Sequence, residues 1–181
     1  MLCASFGILS LLAFVAHAHV ITPSEDGDIS FKYYPSQSNG DVLTFELSGP
    51  APNETSYVAL GLSLDQKMGD DSVVACALKD GKPDVRMYWN LNNPYTSVPL
   101  AKPSTGLSAL EVSINDGLIS CKFDRDFVTT FDTPTKPSKS VTIDMTKTPY
   151  FTLLAVGPLK DNGNVNHHKE VIVSDKAEIL A

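Results

Sequence analysis

Residues 57–76 read YVALGLSLDQKMGDDSVVAC, and the reading of this stretch decides the fold class. Val58, Leu60, Leu62 and Leu64 recur at every second position, with Ala59, Gly61 and Ser63 between them. A period of two places alternate side chains on opposite faces of a β-strand. One face is bulky and the other small, so the strand is expected inside a sheet with something packed close to its small face. A polar turn from Asp65 to Asp71 follows, then a second apolar run containing Val73, Val74 and Cys76. Met68 stands in that turn. A long thioether usually fills a core; here it either packs at the rim of a sandwich or presents its sulfur to something.

The same alternation extends in both directions. Leu43, Phe45 and Leu47 share one face of DVLTFELS, and Leu110, Val112 and Ile114 one face of ALEVSIND. Val85, Met87 and Trp89 stand together, opposite Arg86 and Tyr88. Met87 and Met145 both lie on alternating patterns and read as core. PYFTLLAV and EVIVS add two late strands. Asn39-Gly40, Asp80-Gly81 and Asp116-Gly117 are residue pairs that tolerate the positive φ of hairpin turns. NNPYTSVPLAKPSTG and TTFDTPTKPSKS, rich in Pro, Ser and Thr, read as long loops or edge segments. No segment carries an amphipathic helix with caps. These patterns predict an all-β chain folded as an antiparallel two-sheet sandwich, in a single domain over residues 19–181.

The first stretch, MLCASFGILSLLAFVAHA, stands apart. Its apolar run from Phe6 to Val15 is short for a membrane span, and Ala16-His17-Ala18 reads as a small-residue cleavage site. No Lys or Arg precedes the run, yet the pattern is that of a secretory signal peptide over residues 1–18. The mature chain is then expected to be secreted and not an integral membrane protein. The net charge of -7 argues against nucleic acid or anionic lipid as the main partner. Cleavage leaves Cys76 and Cys121, and an even count in an oxidising compartment predicts one disulfide. Both fall on inward-facing positions, Cys76 with Val74 and Leu78, Cys121 with Ile119 and Phe123. Asn53-Glu54-Thr55 is a glycosylation acceptor beside Gly49-Pro50, in an expected surface turn.

Motifs for hydrolytic chemistry are missing: no G-x-S-x-G, no H-E-x-x-H, no phosphate-binding glycine loop, no paired-cysteine zinc motif. Histidine is scarce after Ala18, with only His19, His167 and His168. Asp161–Asn166 has too few acidic residues for a calcium loop and reads as a turn. His167 and His168 follow it and lead into the last strand. Strand alternation would let only one of them face inward. A thioether and an imidazole together fill both axial positions of a haem iron, as in electron-carrying cytochromes; two histidines and a methionine also suit copper.

The run from Tyr57 to Trp89 resembles the core of the DOMON family: an aromatic (Tyr57), a small-Gly-hydrophobic-Ser strand (Ala59 to Ser63), Asp65, a Met68-Gly69 turn, Asp71 and Val73-Val74. LISCKFDR, with Cys121, Phe123 and Arg125, resembles a strand of the ferric-chelate-reductase-like branch, and YFTLLAVGPLKDNGNVNHH its closing strand, turn and histidine. Tyr57 stands where the family more often has Trp. The resemblance implies an immunoglobulin-like β-sandwich that holds haem b and transfers single electrons. It implies Met68 as one axial ligand and a histidine before the last strand as the other. His168 sits three residues after the hydrophobic Val165, as the family's histidine tends to. Alternation with Val171 and Val173 favours His167, and the choice stays open. Met68 would then stand at the sandwich mouth, the small face of Ala59, Gly61 and Ser63 leaving room for a flat macrocycle. Related reductases continue into a membrane cytochrome module, so reductase activity is expected to need a redox partner protein, a membrane cytochrome or reductase. Arg125 reads either as a partner for a haem propionate or, more simply, as a solvated or structural arginine at a strand end. Two other readings compete. One is a haem-free DOMON module that binds sugar or protein. The other is a copper-binding secreted protein in which cleavage exposes His19 as the N-terminus.

Overall fold

A computed structural model describes residues 19–21, 29–36, 40–92 and 94–181. The expected signal peptide, residues 1–18, and Asn39 of the first turn lie outside the described residues. No helix occurs among the described residues, and none is long and apolar enough to cross a membrane.

Among the described residues eleven strands form an antiparallel two-sheet sandwich and two more a separate hairpin. The five-stranded sheet runs β1 (His19–Ile21), β2 (Ser30–Pro35), β3 (Val42–Pro50), β9 (Leu118–Asp126), β8 (Leu107–Asn115). The six-stranded sheet runs β13 (Glu170–Val173), β12 (Phe151–Pro158), β4 (Ser56–Ser63), β5 (Asp71–Lys79), β6 (Lys82–Asn92), β7 (Tyr95–Pro99). A separate hairpin pairs β10 (Val128–Asp132) with β11 (Ser140–Asp144). The two Pro-, Ser- and Thr-rich stretches thus contain the edge strand β7 and much of this hairpin.

The core between the sheets is built from the alternating apolar positions. Phe31, Phe45 and Phe123 project from the five-stranded sheet, and Leu60, Val74 and Met87 from the other. Met87 and Met145 are fully buried. Each large apolar side chain so buried contributes roughly 1.5–3 kcal/mol relative to exposure. Asp80 and Gly81 (φ 52° and 70°) close the β5–β6 hairpin, and Asp116 and Gly117 (φ 50° and 77°) the β8–β9 hairpin. Successive positive φ values match the right-handed twist of the flanking strands.

One expected face is broken. In β8 the register shifts between Ser108 and Glu111, and Ala109 has φ 51°. The extra residue of this bulge reverses the alternation. Leu107, Val112 and Ile114 pack on the core, while Leu110 is displaced outward and 36% exposed.

Cys76 on β5 and Cys121 on β9 form a disulfide that ties the two sheets through the core, with Cα atoms 6.2 Å apart. Arg125 follows the structural half of its simpler reading. Its side chain is fully buried on the core side of β9, where Nη2 donates to Ser72 Oγ at 2.8 Å. It is structural without being solvated, because Arg125 continues the inward series Cys121, Phe123. Burial pulls its guanidinium down to about 10, still well above neutral pH.

Candidate functional site

The small face of β4 is where the chain keeps space. Val58, Leu60 and Leu62 face the core, so Tyr57, Ala59 and Gly61 face the other way. They are joined on that outer side by Val73 of β5 and by Leu153 and Ala155 of β12. These residues floor a cleft of about 360 Å³, a volume typical of small-ligand sites. The cleft therefore lies on the outer face of the six-stranded sheet, not at the mouth between the sheets as the sequence suggests. The physical reason is the alternation itself: the face that accepts small residues is the one turned away from the core. Ser63 is not among the lining residues; its Oγ accepts the Asp65 N–H at 3.2 Å and so starts the turn.

Both halves of the expected donor set border this cleft. Met68, His167 and His168 all line it, though about a hundred residues separate the sulfur from the imidazoles. They arrive from the two ends of one strand's outer face. The Met68 turn follows Ser63 at the end of β4, whereas His168 lies over Gly157, which pairs with Tyr57 near its start.

The Met68 turn is held by its own polar groups. The Lys67 N–H donates to Asp65 Oδ1 at 2.8 Å and the Gly69 N–H to Asp71 Oδ2 at 2.8 Å. Gly69 has φ +133°, and a Cβ there would come 2.9 Å from Asn92 Oδ1, so only glycine lets the turn lie against β6. Asp71 is 1% exposed, and burial raises its carboxyl above the ordinary range despite bonds from the Gly69 N–H and Asn90. Asn90 Nδ2 donates to Asp71 Oδ2 at 3.2 Å and lies 3.6 Å from Met68 Sδ. Met68 itself is 36% exposed, so its sulfur is reachable.

The histidines sit on a strap, residues 159–169, that folds back over the sheet. Leu159 bridges Val165, and the Lys160 N–H donates to Asn164 O at 2.8 Å. Val165 is buried in a second apolar cluster with Tyr57, Ala75 and Tyr88. Tyr57 Oη donates to Asn166 O at 3.0 Å, and the Lys169 N–H to Val156 O at 2.8 Å. Tyr88, which alternation leaves on a polar outer face, is 2% exposed because the strap covers it. Residues 166–168 are not in a strand, so the rule that only one histidine faces inward does not apply. Both line the cleft, their rings 4.6 Å apart and edge-on. His167 is exposed and His168 half-buried. Burial, and then the neighbouring His167, hold the His168 imidazole below its ordinary value, which favours the neutral, ligating form.

Sequence reasoning misses Asn90, Ser97 and Lys160, which also line the cleft. An outward polar residue on a strand gives no sign that a turn will bury it. Asn90 directly opposes Asp71 in the β5–β6 register, and only that pairing marks it. His19 is on β1 of the opposite sheet, paired with Tyr33, and Arg125 faces the core. Neither is gathered at the cleft. Among the described residues no group of three or more His, Cys, Asp or Glu is arranged to hold a metal ion.

The sequence profile of the DOMON domain matches residues 25–155. The chain belongs to the DOMON family. The matched region contains the Met68 turn and ends before the strap. Among curated proteins, a putative ferric-chelate reductase 1 homolog of Drosophila melanogaster is 34% identical over 131 residues, 71% of this chain and 19% of that protein. Putative ferric-chelate reductase 1 of Xenopus laevis is 25% identical over 140 residues, 77% of this chain and 21% of that protein. Ferric-chelate reductase 1 of Mus musculus is 26% identical over 139 residues, with coverage of 77% and 21%. The chain thus spans about a fifth of the length of these relatives. Among solved structures, the cytochrome domain of Myriococcum thermophilum cellobiose dehydrogenase superposes with a TM-score of 0.54 at 9% identity, covering 86% of each chain. At that identity the likeness is one of fold.

Proposed function

We propose that this DOMON domain is secreted, binds haem b and passes single electrons, with Met68 and His168 as the axial ligands of the iron and His167 as the alternate. The observation that carries this reading is the shared cleft: a reachable thioether and two imidazoles border one apolar cavity. The residues present fit the group. Ala59, Gly61 and Ala155 keep part of the floor low, and Tyr57, Val73 and Leu153 make the rest apolar, a lining suited to the face of a flat macrocycle. The donors are soft sulfur and imidazole nitrogen, without the oxygen-rich shell that hard cations need. Bound between two such ligands, haem supplies a one-electron couple with no open coordination position.

The chain's own contribution is to hold these groups in place. The Asp65–Asp71 bonds fix the turn that carries Met68. The buried Val165, the Tyr57 hydroxyl and the Lys169 N–H fix the strap that carries the histidines. Val73, Leu153 and Val171 give the cleft apolar walls, and Lys160 adds a cation to its lining that would suit an anionic substituent. His168 is preferred over His167 because it is the more buried of the two and its Cα rests on the sheet at Gly157.

Electrons must come from and go to other proteins in this reading: a reductase, the class that the names of the relatives suggest, or the membrane cytochrome that the family resemblance implies. Residues 1–18 would direct export, and Asn53, exposed in the turn after β3, would be accessible for glycosylation. Titration of the purified chain with ferrous haem b tests the reading. Stoichiometric uptake with a low-spin absorption spectrum is expected; the absence of any saturable uptake would leave the domain as a haem-free binding module.

A further inference from the structure

The Met68 thioether has a polar neighbour that no catalogue of ligands would include. Asn90 is 2% exposed on the outer face of β6, and each end of its amide has a partner. Oδ1 accepts from Ser97 Oγ at 2.5 Å, and Nδ2 donates to Asp71 Oδ2 at 3.2 Å. Asp71 Oδ2 already accepts the Gly69 N–H at 2.8 Å, and as an acceptor it calls for the amide nitrogen of Asn90 and not its oxygen. The same nitrogen lies 3.6 Å from Met68 Sδ. Of its two hydrogens, one serves the carboxylate and the other is directed at sulfur. The backbone adds a further tie, since the Asp70 N–H donates to Asn90 O at 2.8 Å.

We propose that Asn90, oriented by Asp71 and Ser97, is a positioning residue that fixes the Met68 sulfur in the cleft and occupies one of its lone pairs, leaving the other for the metal. This rests on the haem reading for its consequence but not for its contact. Methionine is unbranched and turns about three side-chain bonds. On an exposed turn it would otherwise sample many rotamers, and ordering such a side chain carries an entropic cost. An N–H directed at sulfur meets that cost in advance. It also withdraws density from the thioether, which favours the reduced metal.

The test is run on the haem-free chain first, by carbon-13 NMR of methionine methyl groups. In Asn90→Ala the Met68 methyl resonance is expected to sharpen and move toward the free-methionine position, while those of Met87 and Met145, buried in the core, stay in place. Ser97→Ala, which leaves the Asn90 amide intact, is expected to give a smaller change in the same direction. It decides the matter if Asn90→Ala disturbs the core methyls as well. A Met68 resonance unmoved in both variants overturns the proposal. With haem b added, Asn90→Ala is expected to bind about tenfold more weakly and to show a lower midpoint potential. A chain that takes up no haem sinks the functional reading alone, because the methyl measurement still decides the Asn90–Met68 contact. Haem uptake with an unchanged potential and affinity in Asn90→Ala overturns the positioning role.

Discussion

Gly157 stands on β12 where the strap crosses, and a Cβ there would lie 2.9 Å from His168 Cα and 3.0 Å from the Tyr57 ring. Both obstacles are fixed, one being backbone and the other a buried aromatic. Gly157→Ala is therefore expected to lift the histidine-bearing strap and to destabilise the chain by roughly 1–3 kcal/mol; chemical denaturation together with haem titration checks this. At this scale the sequence is a mixed guide. Met68 is legible because a methionine among Asp65, Gln66, Lys67 and Asp70 breaks the rule that thioethers seek a core. The histidine pair is legible through scarcity. Arg125 is not, because a charged residue at the end of an inward series can be read as leaving the core or continuing it. Here it continues, and among the described residues its side chain bonds to Ser72, with Nε and Nη1 left without a partner.

Strands are legible wherever both faces keep one character for several residues, as in β3, β4 and β6. The β8 bulge is not, because an insertion of one residue leaves Leu110, Val112 and Ile114 looking like a continuous face. The strap is the hardest element to foresee. Residues 159–169 form no regular structure, and their order comes from tertiary bonds that span the chain, from Tyr57 to Asn166 and from Val156 to Lys169. Tyr57→Phe removes one of these while keeping the aromatic ring in place. The expected loss is about 1 kcal/mol, concentrated locally. Hydrogen exchange should quicken at the Asn166 and Lys169 amides and stay unchanged in the β5–β6 hairpin. Uniform acceleration across both would contradict the view that this hydroxyl acts on the strap.

The whole molecule is a sandwich whose sheets are joined covalently at Cys76–Cys121, across 45 residues of sequence. A cross-link closing a loop of that length stabilises by about 4 kcal/mol in the chain-entropy model. The double variant Cys76→Ala/Cys121→Ala is expected to unfold at markedly lower denaturant, with most of the deficit in stability near that figure. Alkaline stability follows from the tyrosines. Burial pushes Tyr33 and Tyr57 up to about 12, and the Glu46 hydrogen bond does the same for Tyr34. The folded state thus favours the neutral phenols. The stability they contribute is fully present below pH 10.0, their ordinary value, and is lost as pH rises from there through about 12. Denaturation midpoints should hold steady to pH 9 and fall by pH 11 on that basis, with tyrosinate absorbance lagging until unfolding.

What unites these scales is a cleft on the outer face of the sheet that a sulfur and two imidazoles border. Proton NMR of the reduced, haem-loaded chain addresses that point most directly, because a methyl group held against a macrocycle is displaced far upfield by the ring current. One such three-proton resonance is expected in the native chain and none in Met68→Ala. A haem-loaded chain with no upfield methyl, or one that keeps it in Met68→Ala, would contradict ligation by Met68.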